Sequence, residues 1–192
     1  MTTSARATKT AAPRGAEAVR AALVAAAADL LVTHAPAQIS GRMIAEHANV
    51  NYGLIHQYFG TKSQIFRAVF LDVSEQVTAE ARITDQGWWN RPDLFSTRGD
   101  LWRIVANLLA DTELVVQMGW EFPLLRTIAT HMQAEHPEWD DRKVQAHTAA
   151  IGSALLGWAL LESTFERGFE LSPNELRDVR TRVFEIVIPN PR

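Results

Sequence analysis

Hydrogen-bonding side chains cluster in the segment 49–62, NVNYGLIHQYFGTK, around a glycine that helices ordinarily avoid. A short helix here would turn one set of residues to its outer face: Asn51, Tyr52, Gly53, His56 and Gln57. Their amide, hydroxyl and imidazole groups suit base edges and phosphate oxygens. Gly53 costs about 1 kcal/mol of helix stability relative to alanine, and its missing side chain leaves room for a duplex to approach. The residue types therefore predict a surface that reads DNA.

Two short helices have to position that surface. The first is predicted at 41–48 with Ser40 as its N-cap, and the second at 51–58. Asn49 lies between them, and asparagine tolerates the left-handed backbone that a tight turn requires. These lengths are those of a helix-turn-helix. The residues expected to bury the pair against flanking helices 15–34 and 62–82 are Ile44, Ala48, Val50, Ile55, Tyr58 and Phe59.

Helical periodicity extends along almost the whole chain, so an all-α fold is predicted. Beyond the first four helices, the pattern predicts four more, at 100–118, 121–135, 141–168 and 173–188. A loop rich in Gly, Pro and Asp at 85–99 precedes them. The predicted regions are a disordered basic arm at 1–14, a helix-turn-helix domain at 15–70, and a larger helical domain at 71–192.

Charge divides the chain in the same way. Residues 1–70 hold seven Lys/Arg against three acidic residues, whereas the remainder holds twelve against nineteen. A basic amino-terminal third on an acidic body indicates a module that binds a polyanion, joined to a domain with another task.

The segment 39–66, ISGRMIAEHANVNYGLIHQYFGTKSQIF, resembles the helix-turn-helix signature of TetR-type (tetracycline-repressor-like) transcriptional regulators. The positions that match in order and spacing are Ser40, Ile44, Ala45, Ala48, Val50, Gly53, Ile55, Tyr58, Phe59, Lys62 and Ile65. The resemblance implies a homodimer that binds a near-palindromic DNA operator. It also implies that the larger domain binds a small-molecule effector and forms the dimer.

The resemblance assigns roles to individual residues of the amino-terminal domain. Contacts to the DNA backbone are implied for Ser40, Arg42, Tyr52, His56 and Lys62. Groove-facing positions are implied for Asn51, Gly53, Leu54 and Gln57, with Leu54 either touching a thymine methyl or lying at the edge of the core. The family's turn glycine is replaced by Asn49, and its common tyrosine by His56. Because a protonated histidine adds charge, DNA affinity is expected to depend on pH.

Aromatic residues are abundant in the acidic body, which holds all six tryptophans. By resemblance, some of them line an effector pocket, and the alternative is that each one packs in the core or at a dimer interface. The pocket candidates are Trp102, Trp120, Phe122, Leu125, Ile128 and Met132. An apolar pocket with few polar groups would suit an apolar or aromatic effector.

The last two predicted helices carry wide apolar stripes and several small residues that allow close helix packing. They pack either on the core of their own domain or against a second subunit as a four-helix bundle, and the resemblance favours the dimer. The candidate interface residues are Ile151, Leu155, Trp158, Val179, Val183 and Ile186.

The sequence shows no motif for disulfide, metal or catalytic chemistry. The chain has no cysteine, which excludes disulfides and Cys-type zinc sites and fits the cytoplasm. The apolar run 149–161 is too short to span a bilayer, so no membrane partner is expected. The acidic and histidine residues at 131–141 lack metal-ligand spacing, and a solvated face explains them. No nucleophile or phosphate-loop motif is present, so no catalytic residue, metal or cofactor is predicted.

The resulting hypothesis is a cytoplasmic TetR-type repressor, released from its operator by a small apolar or aromatic effector. The alternative is a helical small-molecule-binding protein or an enzyme with a vestigial helix-turn-helix. Sequence-specific binding to a short palindrome, falling steeply with salt, would favour the regulator.

Overall fold

The computed structural model describes residues 13–82, 99–117 and 123–187, and within these ranges the regular structure is entirely helical. The all-α prediction is confirmed. The chain divides into two compact units, Met1–Val69 and Phe70–Arg192, which we call the amino-terminal and carboxy-terminal units. The predicted arm at 1–14 lies outside the described residues as far as residue 12, as does most of the predicted loop at 85–99.

The amino-terminal unit consists of three helices and the start of a fourth. These are α1 (Ala16–Thr33), a short 3-10 helix (Pro36–Gln38), α2 (Gly41–His47), α3 (Gly53–Tyr58) and the first part of α4 (Lys62–Arg82). Helix α1 packs on both α2 and α3. The core comes from the predicted apolar stripes, including Leu23, Leu31, Ile44, Ile55, Ile65 and Phe66, each at most 2% exposed.

Local signals set the helix ends in this unit. The Ser40 hydroxyl accepts a hydrogen bond from the Met43 N–H at 3.2 Å, which caps α2. Asn49 has φ 54°, the left-handed turn conformation expected of it. The Thr61 hydroxyl accepts from the Gln64 N–H at 3.3 Å at the start of α4. Helix α3 begins at Gly53, two residues later than predicted, because residues 51 and 52 form the turn.

The carboxy-terminal unit is built around one long helix. Its helices after α4 are α5 (Gly99–Ala110), α6 (Thr112–Gln117), α7 (Pro123–Glu135), α8 (Asp141–Gly168) and α9 (Pro173–Val187). Helix α8 packs on α5, α7 and α9. Its buried side is Val144, Thr148, Ile151, Leu155, Trp158 and Ala159.

The prediction of one helix at 100–118 is wrong, since it divides at Asp111 into α5 and α6. The Asp111 carboxylate accepts a hydrogen bond from the Leu114 N–H at 3.0 Å, which caps a new helix start. An aspartate before Thr112 and Glu113 is a start signal that the apolar periodicity concealed.

The last predicted helix begins at Pro173, as expected, and Ser172 and Glu175 form its start. Ser172 donates from its hydroxyl to the Glu175 carboxylate at 2.6 Å and from its N–H at 2.9 Å. These two hydrogen bonds lower the pKa of Glu175. The bond from the Ser172 N–H, together with a 3.5 Å bond from the Glu175 N–H to the Ser172 hydroxyl, forms a capping box at the exposed start of the helix.

Helix α8 is long and apolar enough to cross a bilayer by length and composition, with a mean hydropathy of 1.3 over its most apolar window. The core helix of a soluble protein passes the same test. Among its neighbours, α9 contributes the buried Arg180, whose guanidinium lies 3.3 Å from Glu162 of α8. Burial lowers the pKa of Arg180, and the charge of Glu162 partly opposes that shift.

Candidate nucleic-acid interface and apolar cavity

The outer face of α3 and the turn before it is exposed, as the helix-turn-helix pattern predicts. Exposed residues here are Asn51, Tyr52, Gly53, His56 and Gln57, while Leu54 is half-buried. Ile55 anchors the opposite side at 2% exposure. The side-chain amide oxygen of Asn51 (Oδ1) accepts a hydrogen bond from the Gly53 N–H at 2.8 Å. This side chain therefore also supports the first turn of α3.

Tyr52 and His56 form a linked pair on this face. The two rings meet edge to face, with centroids 5.2 Å apart and planes at 86°. His56 Nε2 lies 3.3 Å from the Tyr52 hydroxyl, and His56 Nδ1 lies 3.1 Å from the Gly60 carbonyl oxygen. Gly60 has φ 74°, a left-handed conformation that favours glycine at this turn. The histidine therefore bridges Tyr52, the residue before α3, and Gly60, which follows the end of the helix.

Gly41, the first residue of α2, leaves the space that the Tyr52 ring occupies. A Cβ at residue 41 would lie 2.9 Å from Tyr52 Cε2, closer than two unbonded carbons approach. Sequence reasoning assigned no role to this glycine. A glycine directly after an N-cap serine, where alanine would stabilise the helix, was the available signal.

We expect Gly41→Ala to displace the Tyr52 ring and weaken DNA binding roughly three- to tenfold, the value of about one hydrogen bond. Thermal stability should not fall, because alanine is the better helix former. Gly99→Ala is the matched control, since Gly99 also begins a helix and a Cβ there would meet nothing within 4 Å. Equal DNA affinity for wild type and Gly41→Ala would contradict the role of Gly41.

Lys62 was predicted to meet a DNA phosphate, and in the structure its ammonium holds the fold together. Its Nζ donates to the Pro36 carbonyl at 3.0 Å and the Ile39 carbonyl at 2.8 Å. It also lies 5.4 Å from the centre of the Phe66 ring. The ammonium thereby ties the start of α4 to the segment between α1 and α2. A phosphate contact by Lys62 stays a prediction, and it would have to be added to these bonds.

Arg20 of α1 is a structural residue that sequence reasoning missed. Its guanidinium donates to the Tyr58 carbonyl at 2.8 Å and lies 4.7 Å from the centre of the Phe59 ring. It therefore satisfies an end carbonyl of α3 and covers the aromatic residue that follows. The contact spans 38 residues, and no local pattern indicates it.

The remaining predicted contact residues, Ser40 and Arg42, lie exposed at the start of α2. Exposed basic residues elsewhere in this unit are Arg14, Arg20 and Arg67. Of the acidic residues, Asp29 is paired with His47 at 3.2 Å. The described surface of the unit therefore keeps the basic character expected of a DNA-binding module.

A cavity of about 50 Å³ lies in the carboxy-terminal unit, and its exposed wall is entirely apolar. Its lining residues are Phe70, Trp102, Val105, Leu109, Leu125, Ile128, Gly152, Leu155 and Leu156. Three of the predicted pocket residues, Trp102, Leu125 and Ile128, are among them. Met132 is buried but lies outside this lining, where its sulfur accepts from the Thr148 hydroxyl at 3.8 Å. Trp120 and Phe122 lie outside the described residues.

The residues predicted for a dimer interface are divided by the structure. Ile151, Leu155 and Trp158 are at most 7% exposed within the subunit. Val179 and Val183 are half-buried, whereas Ile186 is 83% exposed. The first three therefore belong to the subunit core, which is the alternative that the sequence left open for them.

Two histidines near the turn between α7 and α8 pack on the ring of Trp139. The His136 ring stacks on Trp139 at 4.0 Å between centroids, and the His147 ring lies 4.3 Å from Trp139. Lys143 Nζ lies 4.4 Å from the centre of the same indole. Within the described part of the chain, no group of three or more metal-ligand side chains converges.

Comparison with known proteins identifies the amino-terminal unit. Residues 23–69 match the family model of bacterial regulatory proteins, tetR family. The chain is 31% identical over 192 residues to the HTH-type transcriptional repressor Rv3405c of Mycobacterium tuberculosis, covering 93% of this chain and 94% of the relative. The equally similar HTH-type transcriptional regulator Mb3439c of Mycobacterium bovis has the same coverage.

Solved structures share the fold. A transcriptional regulator from Rhodococcus sp. Rha1 has a TM-score of 0.63 at 18% identity, with 88% of this chain and 95% of that chain covered. NalD of Pseudomonas aeruginosa, the secondary repressor of the MexAB-OprM multidrug efflux pump, has a TM-score of 0.59 at 18% identity, with coverages of 90% and 96%. The match at residues 23–69 contains the whole helix-turn-helix. The chain therefore belongs to the TetR family of bacterial DNA-binding transcriptional regulators.

Proposed function

We propose that this regulator is a homodimeric, cytoplasmic repressor that places α3 of each subunit in the major groove of a near-palindromic operator. The observation that carries the proposal is the exposed outer face of α3, with hydrogen-bonding side chains around Gly53. Two-fold symmetry of the protein requires two half-sites one helical turn, or a multiple of it, apart. Repression is favoured by the name of the M. tuberculosis relative.

Selection of bound sequences from a random DNA pool tests this directly. A regulator of this kind should enrich a palindrome whose half-site spacing is close to a multiple of about 10 base pairs. Binding should also weaken steeply with salt, because each phosphate contact releases counterions. Failure to enrich any sequence, with and without candidate effectors, would overturn the proposal.

Gln57 is the residue of α3 best suited to read a base, because its exposed amide can donate and accept at one base edge. We expect Gln57→Ala to relax the preference at one position per half-site and to weaken operator binding by about 1–3 kcal/mol for each half-site. Gln64→Ala on α4 is the matched control, since Gln64 is also exposed and lies on a different helix. An unchanged sequence preference in Gln57→Ala would remove Gln57 from the reading surface.

The apolar cavity supports an uncharged apolar or aromatic effector. At about 50 Å³ the cavity is far smaller than the roughly 300–1,000 Å³ of typical ligand pockets, so binding would have to widen it. An effector that prefers the widened state would shift the protein toward it. If that state holds the two copies of α3 at an unsuitable spacing, the operator is released.

Leu125→Trp tests the cavity as the effector site. Leu125 lines the cavity and is 37% exposed, so a larger ring can fill the cavity without being forced wholly into the core. We expect the variant to keep operator affinity and to lose release by any effector found in an apolar ligand screen. Leu71→Trp is a suitable control, because Leu71 is 42% exposed on α4 and is absent from the cavity lining. Release that persists in Leu125→Trp would place the effector elsewhere.

The dimer surface is proposed from α8 and α9. Leu160 lies on the side of α8 opposite the buried residues, in line with Ser153 and Gly157. On α9, Ile186 is 83% exposed. An apolar, small-residue surface of this kind suits close packing against a two-fold partner.

A further inference from the structure

We propose that His56 is a positioning residue that sets the direction in which the Tyr52 hydroxyl donates. Proton uptake by His56 would release the hydroxyl proton toward an acceptor oxygen of bound DNA. The inference rests on the proposed function, because it assumes that this face of α3 meets the duplex. The inference goes beyond that function, because it couples operator binding to the uptake of a proton at His56.

The Gly60 carbonyl fixes the tautomer of the imidazole. A carbonyl oxygen only accepts, so the 3.1 Å contact requires a hydrogen on His56 Nδ1. That requirement is the same for the neutral and the protonated ring. In the neutral ring, Nε2 therefore carries a lone pair and can only accept.

The Tyr52 hydroxyl must adapt to that lone pair. At 3.3 Å from Nε2, the hydroxyl donates its one proton to the neutral ring. When Nε2 takes a proton from water, the ring becomes the donor and the Tyr52 oxygen accepts. The Tyr52 hydroxyl can then donate its proton to a third group. The only covalent change is the transfer of one proton from the solvent to His56 Nε2.

The pair is held in place while this reversal occurs. The Tyr52 ring lies close to Gly41 and meets the His56 ring edge to face. Tyr52 nevertheless keeps 42% of its surface exposed, so a DNA oxygen can reach the hydroxyl. The neutral state thus turns the hydroxyl inward and the protonated state lets it point outward.

Each helix next to α3 in this unit carries a cation, and the two with side-chain contacts bind other groups. From α1, Arg20 binds the Tyr58 carbonyl, and from α4, Lys62 binds two carbonyls of the 3-10 segment. From α2, Arg42 is exposed. Within the described residues, His56 forms no ion pair with a carboxylate, since the histidine that does so in this unit is His47. Under the proposed function, a DNA phosphate would supply the negative charge that faces a protonated His56.

The sign of the pH dependence follows from this arrangement. Protonation adds a positive charge near the phosphates and releases one donor, so the protonated state binds DNA more tightly. Operator affinity should therefore rise as pH falls. Each bound subunit takes up at most one proton, so a dimer would gain at most about a hundredfold per pH unit.

The experiment measures operator affinity from pH 8.5 to 5.5 at constant ionic strength, on a sequence recovered from the random DNA pool. The wild type should bind at least tenfold more tightly at the low end. His56→Asn should bind with little pH dependence, because an amide nitrogen can still donate to Gly60 but does not titrate. Tyr52→Phe should show a smaller pH dependence than the wild type while keeping His56, since the released donor is gone and only the added charge remains.

His47→Gln is the matched control, because it removes another titratable histidine of the same unit. It should keep the pH dependence of the wild type. Full pH dependence in Tyr52→Phe would overturn the hydroxyl's role and leave only the charge of His56. A pH-independent wild type that still binds its operator would overturn the inference alone, whereas a protein that enriches no sequence would overturn the proposed function.

Discussion

Lys62→Met should unfold the amino-terminal unit more readily and abolish DNA binding at ordinary concentrations. The substitution keeps an apolar stem beside Phe66 but removes the donor to the Pro36 and Ile39 carbonyls. Both bonds are partly buried, and a hydrogen bond from a charged donor contributes about 1.5–3 kcal/mol, although the Pro36 carbonyl keeps the Ile39 N–H at 3.3 Å. The expected loss of about 2–5 kcal/mol is a large part of the stability of a small unit. Urea unfolding, followed by circular dichroism, measures it.

Arg67→Met provides the control for Lys62→Met. Arg67 is a cation on the same helix and is exposed to solvent, so its loss removes charge without removing these two bonds. It should leave the free energy of unfolding within about 0.5 kcal/mol of the wild type. If Lys62→Met instead keeps full stability and weakens only DNA binding, Lys62 acts as a phosphate contact and not as a structural brace.

Lys62 was predicted to contact a phosphate and was found in a structural contact, and the difference shows where local sequence patterns stop being predictive. Ser40 and Asn49 were predicted correctly because a cap or a turn involves residues only a few positions apart. The bonds of Lys62 span 26 and 23 residues, and they depend on how the 3-10 segment folds back. Nothing in the spacing of the motif encodes that return, so the family resemblance alone suggested a role for this residue.

The Tyr52–His56 pair is an intermediate case. Residues four apart meet on a helix, so the spacing could have indicated the contact. The direction of its hydrogen bond could not be predicted, because that depends on the Gly60 carbonyl beyond the end of α3. The positive φ of Gly60 sets the position of that carbonyl. In the sequence, a glycine after a helix indicates only that the helix ends there.

The carboxy-terminal unit was predicted less completely because α8 carries apolar residues on several sides. Periodicity identified a helix at 141–168 with correct ends but could not choose which stripe enters the core. The structure buries the stripe of Ile151, Leu155 and Trp158 against α5, α7 and α9. Leu160 is also a large apolar residue, yet it is left 43% exposed on the other side of the helix. Tertiary neighbours, and not local pattern, made that choice.

Leu160→Glu should convert the protein to a monomer and weaken operator binding at least a hundredfold. Under the proposed dimer, two-fold symmetry brings the substituted side chains of both subunits to the same apolar surface, where two carboxylates lose water and repel each other. A monomer holds one half-site and loses the gain in effective concentration that linkage of two reading helices provides. Sedimentation or light scattering measures the mass, and titration of the operator measures the affinity.

Val116→Glu is the matched control, because Val116 of α6 is 80% exposed in the same unit and the change adds the same charge. It should remain dimeric and bind the operator normally. Circular dichroism should show native helix content in both variants, since Leu160 lies away from the core and its replacement leaves no buried cavity. A dimeric Leu160→Glu variant with normal affinity would exclude this face of α8 from the interface. The exposed Ile186 of α9, substituted in the same way, would then show whether the partner instead packs on the last helix.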